Sequence, residues 1–307
     1  MFPFQRLFTL LLAAVMQVSL TACGGAAPSG PKAAPPEPPA REQTAGEQTA
    51  GVTPGTEVYR GFVLDNVLHA REGDIHYSLY VPDSYDGTEP YALYLTLPGY
   101  EGLYFQGVGQ NLYSEEFAFE APRYNDRMIV AAPQLSDWGD ASARQTIALT
   151  EYLLDAYRID RDQVYANGYS GGGETMSRVM GLRPDLFTAY LHCSSQWDGA
   201  YEPVAESRTP VYLVVGEDDE YYGSGPSREA YDRLHALYLE AGLTEEEIDG
   251  LLVLDIKDGE YFREGGALTD GEMEKIAAMD RRKRYYHSTP ELLKQYAEIV
   301  PDVDGQK

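Results

Sequence analysis

Gly168-Tyr169-Ser170-Gly171-Gly172 follows the apolar run Val164-Tyr165-Ala166 and precedes a helical pattern in which Met176, Val179 and Met180 share one face. The order is strand, sharp turn, helix, with a serine at the apex. A serine so placed projects its Oγ into a cleft, and the helix start behind it offers backbone N–H groups to developing negative charge. Its small neighbours let the turn close without side-chain clash.

Working outward, apolar runs alternate with helical segments. Ile75–Val81 alternates and ends at Pro82, and Tyr91–Leu97 is the next strand. Met128–Ala132 is short and continuously apolar, as a strand covered on both faces must be. A helix starts at Asp140 and carries Leu149, Tyr152, Leu153, Ala156 and Tyr157 on one face. Ala189–Cys193 and Val211–Val215 are further strands. A helix over about 227–241 and a strand over 251–256 follow. Strands separated by helices predict an α/β fold, a doubly wound, mainly parallel sheet flanked by helices. Sites in such sheets lie beyond the carboxyl ends of the strands.

Serine needs a base to take its proton, a third group to orient that base, and donors for the oxyanion. Strand Val211–Val215 runs into Gly216-Glu217-Asp218-Asp219, which supplies the acid: Asp219, with Asp218 as the fallback. Strand Tyr91–Leu97 exits into Pro98-Gly99-Tyr100-Glu101-Gly102, where the Tyr100 N–H is positioned to pair with that of Gly171, the residue after the nucleophile. Of the five histidines, His69 and His76 fall in or before early strands, His192 in a core strand and His235 within a helix. Only His287 follows the last strand, in Arg284-Tyr285-Tyr286-His287, and it is the candidate base. No metal-ligand motif is present, and this chemistry needs neither metal nor organic cofactor.

The ends carry different signals. Phe8–Leu20 is apolar, follows Arg6, and is shorter than the roughly 20 residues that span a bilayer; residues 1–22 read as a secretory signal peptide. Leu20-Thr21-Ala22-Cys23 resembles a bacterial lipobox, which implies lipidation of Cys23 and a place on the cell envelope, outside the cytoplasm. Residues 23–56 are rich in Ala, Pro, Gly and Thr, with Glu-Gln-Thr-Ala-Gly repeated at Glu42 and Glu47. They read as a disordered tether. Residues 57–307 suit one α/β domain. Cys193, the only other cysteine, sits in an apolar run and is expected to be a small buried residue. The formal net charge of −25 disfavours nucleic acid and anionic lipid surfaces as partners.

With serine elbow, acid turn and oxyanion turn in this order, the chain resembles the α/β-hydrolase superfamily. More narrowly, it looks like secreted esterase-like hydrolases grouped with prolyl oligopeptidase-family and polyhydroxybutyrate depolymerase-like proteins. The likeness rests on Leu97–Gly102, Ala132–Gly139, Gly168–Glu174, Ser194–Gly199 and Gly216–Gly223, and covers about residues 57–262. The resemblance implies a serine hydrolase that cleaves a small-molecule ester through a Ser170 acyl-enzyme. It also implies a catalytic histidine in the Gly-rich loop after the last strand. Here that loop reads Tyr261-Phe262-Arg263-Glu264-Gly265-Gly266-Ala267 and has none, and from about residue 263 the chain diverges. A peptidase of prolyl oligopeptidase type is the second reading. The third is a degenerate hydrolase that binds a ligand without turning it over. Tyr100, Tyr104, Trp138, Tyr169, Trp197, Tyr221 and Tyr222 are the aromatic candidates for the cleft, with Trp138, Tyr169 and Trp197 assigned to substrate.

Overall fold

The computed structural model describes residues 51–258. Ten strands form one sheet: β1 (Gly51–Thr53), β2 (Glu57–Tyr59), β3 (Phe62–Ala70), β4 (Gly73–Tyr80), β5 (Tyr91–Leu97), β6 (Met128–Gln134), β7 (Ile159–Tyr169), β8 (Ala189–Cys193), β9 (Val211–Gly216) and β10 (Leu252–Lys257). The helices are α1 (Gln110–Ser114), α2 (Phe117–Tyr124), α3 (Asp140–Ala156), α4 (Gly171–Leu182), α5 (Glu202–Ser207), α6 (Gly225–Glu240) and α7 (Glu245–Asp249). The strand order is β1-β3-β4-β6-β5-β7-β8-β9-β10, with β2 paired to β3. From β6 to β10 every pair is parallel, while β1 to β4 form an antiparallel wing joined through β4 and β6.

The central parallel strands β5, β6, β8 and β9 are largely apolar because both faces are covered. One face of the sheet presents Leu93, Leu95, Ile129, Val164, Ala166, Tyr190 and Leu213 to α3, α4 and α6. The expected inner face of α4, Met176, Val179 and Met180, is fully buried there. The other face presents Ala92, Tyr94, Val130, Leu191 and Tyr212 to α1 and α2 through Leu112, Phe117, Ala118 and Ala121. The sheet is therefore doubly wound and mainly parallel.

Strand order reverses at β6-β5-β7, so the loops after β5 and β7 leave the sheet side by side in opposite senses. That crevice is where open α/β sheets place their sites. The register fixes the meeting point: Leu97 pairs with Gly168, and Tyr169 pairs with Cys193 of β8.

One boundary differs from the sequence reading. Gly51–Thr53, assigned to the tether, pairs with Val67–His69 as an antiparallel edge strand. The Thr53 hydroxyl is hydrogen-bonded to His69 Nε2 at 2.8 Å. Short edge strands gain from backbone pairing more than from apolar periodicity, so composition hides them. The signal peptide, Cys23, most of the tether, the 261–267 loop and His287 lie outside the described residues.

Candidate active site

Ser170 occupies the turn between β7 and α4 with φ 53° and ψ −128°. This conformation is costly for a non-glycine residue and persists only where its surroundings enforce it. Three constraints do so. The Ser170 N–H donates to Cys193 O at 3.1 Å, and the Gly173 N–H donates back to Ser170 O at 2.8 Å. The buried Ser195 hydroxyl donates to the same Ser170 carbonyl at 2.6 Å. The third constraint is close backbone packing. A methyl group on Gly168 would lie 2.5 Å from Gly172 O, and one on Gly172 would lie 2.3 Å from Leu97 O and 2.6 Å from Pro98 O. Neither neighbour is the end of a flexible side chain. Gly172→Ala is accordingly expected to cost about 3 kcal/mol by overpacking, read as a fall in the urea midpoint at unchanged slope.

The turn after β5 lies directly against this elbow. A methyl on Gly99 would sit 3.1 Å from the Tyr169 ring and 3.3 Å from Ser170 Cβ. Tyr100 opens a short 3₁₀ turn over Tyr100–Gly102, and Gly171 is the first residue of α4. First-turn amides have no acceptor within their own helix, so both candidate oxyanion donors stand at places where such an amide is free to serve. The turn is itself anchored, because Gly99 N–H donates to Glu115 Oε1 at 2.7 Å. Burial, with the nearby Glu101 charge adding to it, pushes the Glu115 carboxyl up to about 8. At neutral pH it is therefore a neutral acid. Nothing in the local sequence marks Glu115 as part of the site, since its partner lies sixteen residues earlier.

Asp219 follows β9, and its Oδ1 accepts from the N–H groups of Tyr221, Tyr222 and Gly223 at 3.0, 2.8 and 3.2 Å. The carboxylate thus closes its own loop with one oxygen. The same loop carries Tyr222, whose hydroxyl donates to Glu174 of α4 at 2.7 Å. Burial raises the Glu174 carboxyl above its ordinary value; the Tyr222 hydrogen bond opposes it, Asp198 adds and Arg178 opposes. Arg178 bridges Asp140 at 2.9 Å and Asp198 at 3.0 Å, tying α3 and the loop after β8 to α4.

The aromatic residues divide. Trp138 covers the elbow, and a methyl on Gly171 would meet its ring at 2.3 Å. Tyr169 lies beneath the oxyanion turn against Gly99 and Phe117. Trp197, read above as a substrate residue, is a core residue: it is 9% exposed, stacked on Tyr201 with centroids 5.4 Å apart, and packed on Tyr190 and His192. The chain after β8 turns back over α4 and carries the indole inward. Two aromatic pairs flank the elbow instead, with Tyr100, Phe105 and Tyr221 exposed and Tyr222 half-buried. Tyr100 meets Phe105 edge-on at 5.6 Å, and Tyr221 meets Tyr222 edge-on at 4.6 Å.

The four described histidines are engaged elsewhere. His69 pairs with Asp74 at 2.7 Å and His235 with Glu245 at 2.8 Å. His76 pairs with Asp65 at 2.7 Å and stacks on Tyr104 at 3.8 Å. His192 is fully buried, bonded to the Tyr190 hydroxyl at 2.7 Å, and burial pushes it down to about 4. Cys193 is free and buried, and burial pushes its thiol up to about 12, which makes it inert. Among the described residues no group of three or more His, Cys, Asp or Glu is arranged to hold a metal, and no helix is long and apolar enough to cross a membrane.

Comparison with known proteins agrees with this geometry. Residues 134–198, from the end of β6 through the elbow to Asp198, match the prolyl oligopeptidase family. Feruloyl esterase B of Thermothelomyces thermophilus is 28% identical over 144 residues, covering 45% of this chain and 49% of the relative. The crystal structure of a thermostable esterase superposes with a TM-score of 0.54 at 21% identity, covering 67% of this chain and 57% of the other. The chain spans about half the length of each of these two proteins. Reversed strand order, strained serine elbow and superposition together give residues 51–258 the α/β-hydrolase fold.

Proposed function

We propose that the chain is a serine hydrolase that cleaves a carboxylic ester through an acyl-enzyme on Ser170. The observation that carries the reading is the enforced φ of 53° at Ser170, held directly against the Gly99–Tyr100 turn. Strain of this kind is kept where it aims a reactive group. In the reaction, Ser170 Oγ attacks the ester carbonyl as its proton passes to the base. The developing oxyanion is met by the N–H groups of Tyr100 and Gly171. The alkoxide leaves with that proton, and water then releases the acid by the same steps in reverse. Asp219 orients the base, for which we propose His287.

The substrate we propose is a small ester of an aromatic carboxylic acid. The exposed aromatic residues Tyr100, Phe105 and Tyr221 beside the elbow support this, as does the similarity to a feruloyl esterase. The prolyl oligopeptidase match over 134–198 favours peptide cleavage as the second reading. We further propose that the chain is an extracytoplasmic lipoprotein of the bacterial cell envelope, tethered by lipid on Cys23 behind residues 23–56.

The test is covalent. A fluorophosphonate is expected to add one phosphonyl group, located by peptide mass spectrometry on Ser170. A p-nitrophenyl ester of an aromatic acid is expected to be turned over faster than an aminoacyl p-nitroanilide. Adduct formation with the opposite substrate preference would establish the peptidase reading. A folded chain that takes up no label would sink both and leave a ligand-binding protein.

A further inference from the structure

Tyr222 joins two parts of the site. Its N–H is one of the three amides closed on Asp219 Oδ1. Its hydroxyl donates to Glu174 Oε1 at 2.7 Å. Glu174 stands one turn into α4, its N–H bonded to Ser170 O at 3.4 Å. A carboxylate only accepts hydrogen bonds. Glu174 therefore fixes the direction of the Tyr222 hydroxyl and, through it, the Asp219 loop that the Tyr222 N–H helps to close. Burial and the Glu174 charge raise the Tyr222 phenol well above its ordinary value, so it stays protonated and is no base of its own.

We propose that Tyr222, held by Glu174, locks the Asp219 loop to the nucleophile's helix and so sets the place of the acid relative to Ser170. The proposal rests on the serine-hydrolase reading above. Tyr222 and Glu174 are then a pair of positioning residues that act through Asp219. The groups facing Glu174 besides Tyr222 are Asp198 and Arg178.

The experiment is a double-mutant cycle on the full chain with Tyr222→Phe, Glu174→Ala, their combination, and Glu174→Gln. It is read by steady-state hydrolysis of a p-nitrophenyl ester and by the rate of fluorophosphonate labelling. Misplacing a group of the reaction centre by about 1 Å costs up to roughly 100-fold. Tyr222→Phe and Glu174→Ala are each expected to lower kcat by about 10- to 100-fold with KM held within about twofold. The pair is expected to be no worse than Tyr222→Phe alone, because both remove one device. Glu174→Gln keeps an oxygen that accepts from Tyr222 and is expected to retain kcat within about threefold. Multiplicative effects of the two changes, an unchanged kcat in Tyr222→Phe, or a loss matched by an equal loss of folded protein would each overturn the proposal. Ser170→Ala separates the two levels. Labelling that survives it refutes the hydrolase reading itself. Labelling that vanishes in it yet proceeds at the normal rate in Tyr222→Phe refutes only the positioning role.

Discussion

Ser170→Ala is expected to reduce ester turnover by at least about a thousandfold, leaving what binding and the oxyanion donors supply without a nucleophile. The fold is expected to survive, because the elbow's hydrogen bonds run through the backbone of residue 170. The conformation itself gives a sharper test. At φ 53° and ψ −128° a Cβ is strained, whereas glycine is not. Ser170→Gly is therefore expected to be inactive yet more stable than Ser170→Ala, by about 1–3 kcal/mol. Thermal or urea unfolding of the two variants side by side reads the difference. Equal stabilities would mean that the turn stores no strain at its apex.

The second large effect concerns Glu115. Its carboxyl, raised to about 8, accepts the Gly99 N–H beneath the oxyanion turn and shares its surroundings with Glu101, Tyr94 and Cys193. The folded protein holds this proton above the ordinary carboxyl value of 4.5, while the unfolded chain releases it there. The stabilisation is complete below about 4.5 and is lost as pH rises through about 8. Ionisation also places a negative charge behind the site where the oxyanion develops. Wild-type kcat is thus expected to fall about tenfold between pH 7 and 9.5. Glu115→Gln, neutral at every pH and still able to accept from Gly99, is expected to keep a flat alkaline limb and a higher melting temperature at pH 9. Glu115→Leu strands a buried N–H at a cost of about 1–3 kcal/mol and is expected to lose activity at all pH values. An alkaline fall shared by wild type and Glu115→Gln would assign the titration to another group.

Where a strand is covered on both faces, its limits are legible. Tyr91–Leu97 and Ala189–Cys193 are apolar runs broken only by Thr96 and His192, and the sheet uses them end to end. The elbow is legible for a related reason: glycines at 168 and 172 serve close backbone packing that no other residue allows, and Gly171 makes room for the Trp138 ring. Edge strands β1 and β2 are short and half exposed, so burial leaves no pattern in them. Glu115 escapes notice because its role is set by a contact across the fold, and Trp197 looks like a cleft residue because an indole's direction depends on the path of the chain after β8. Tyr222 is visible as an aromatic near the acid, but its partner Glu174 is 48 residues away and emerges only when β9 lies beside β8.

The pairing of Leu97 with Gly168 has a kinetic consequence. The oxyanion turn and the nucleophile are about 70 residues apart in the chain and become neighbours only when β5 and β7 zip together around the β6 crossover. Contacts of such long sequence separation form late, because loop-closure entropy must be overcome before they contribute. The arrangement proposed for hydrolysis is therefore completed in the closing stages of folding, and a nascent chain that has not yet emerged past β7 carries neither half of it in working form.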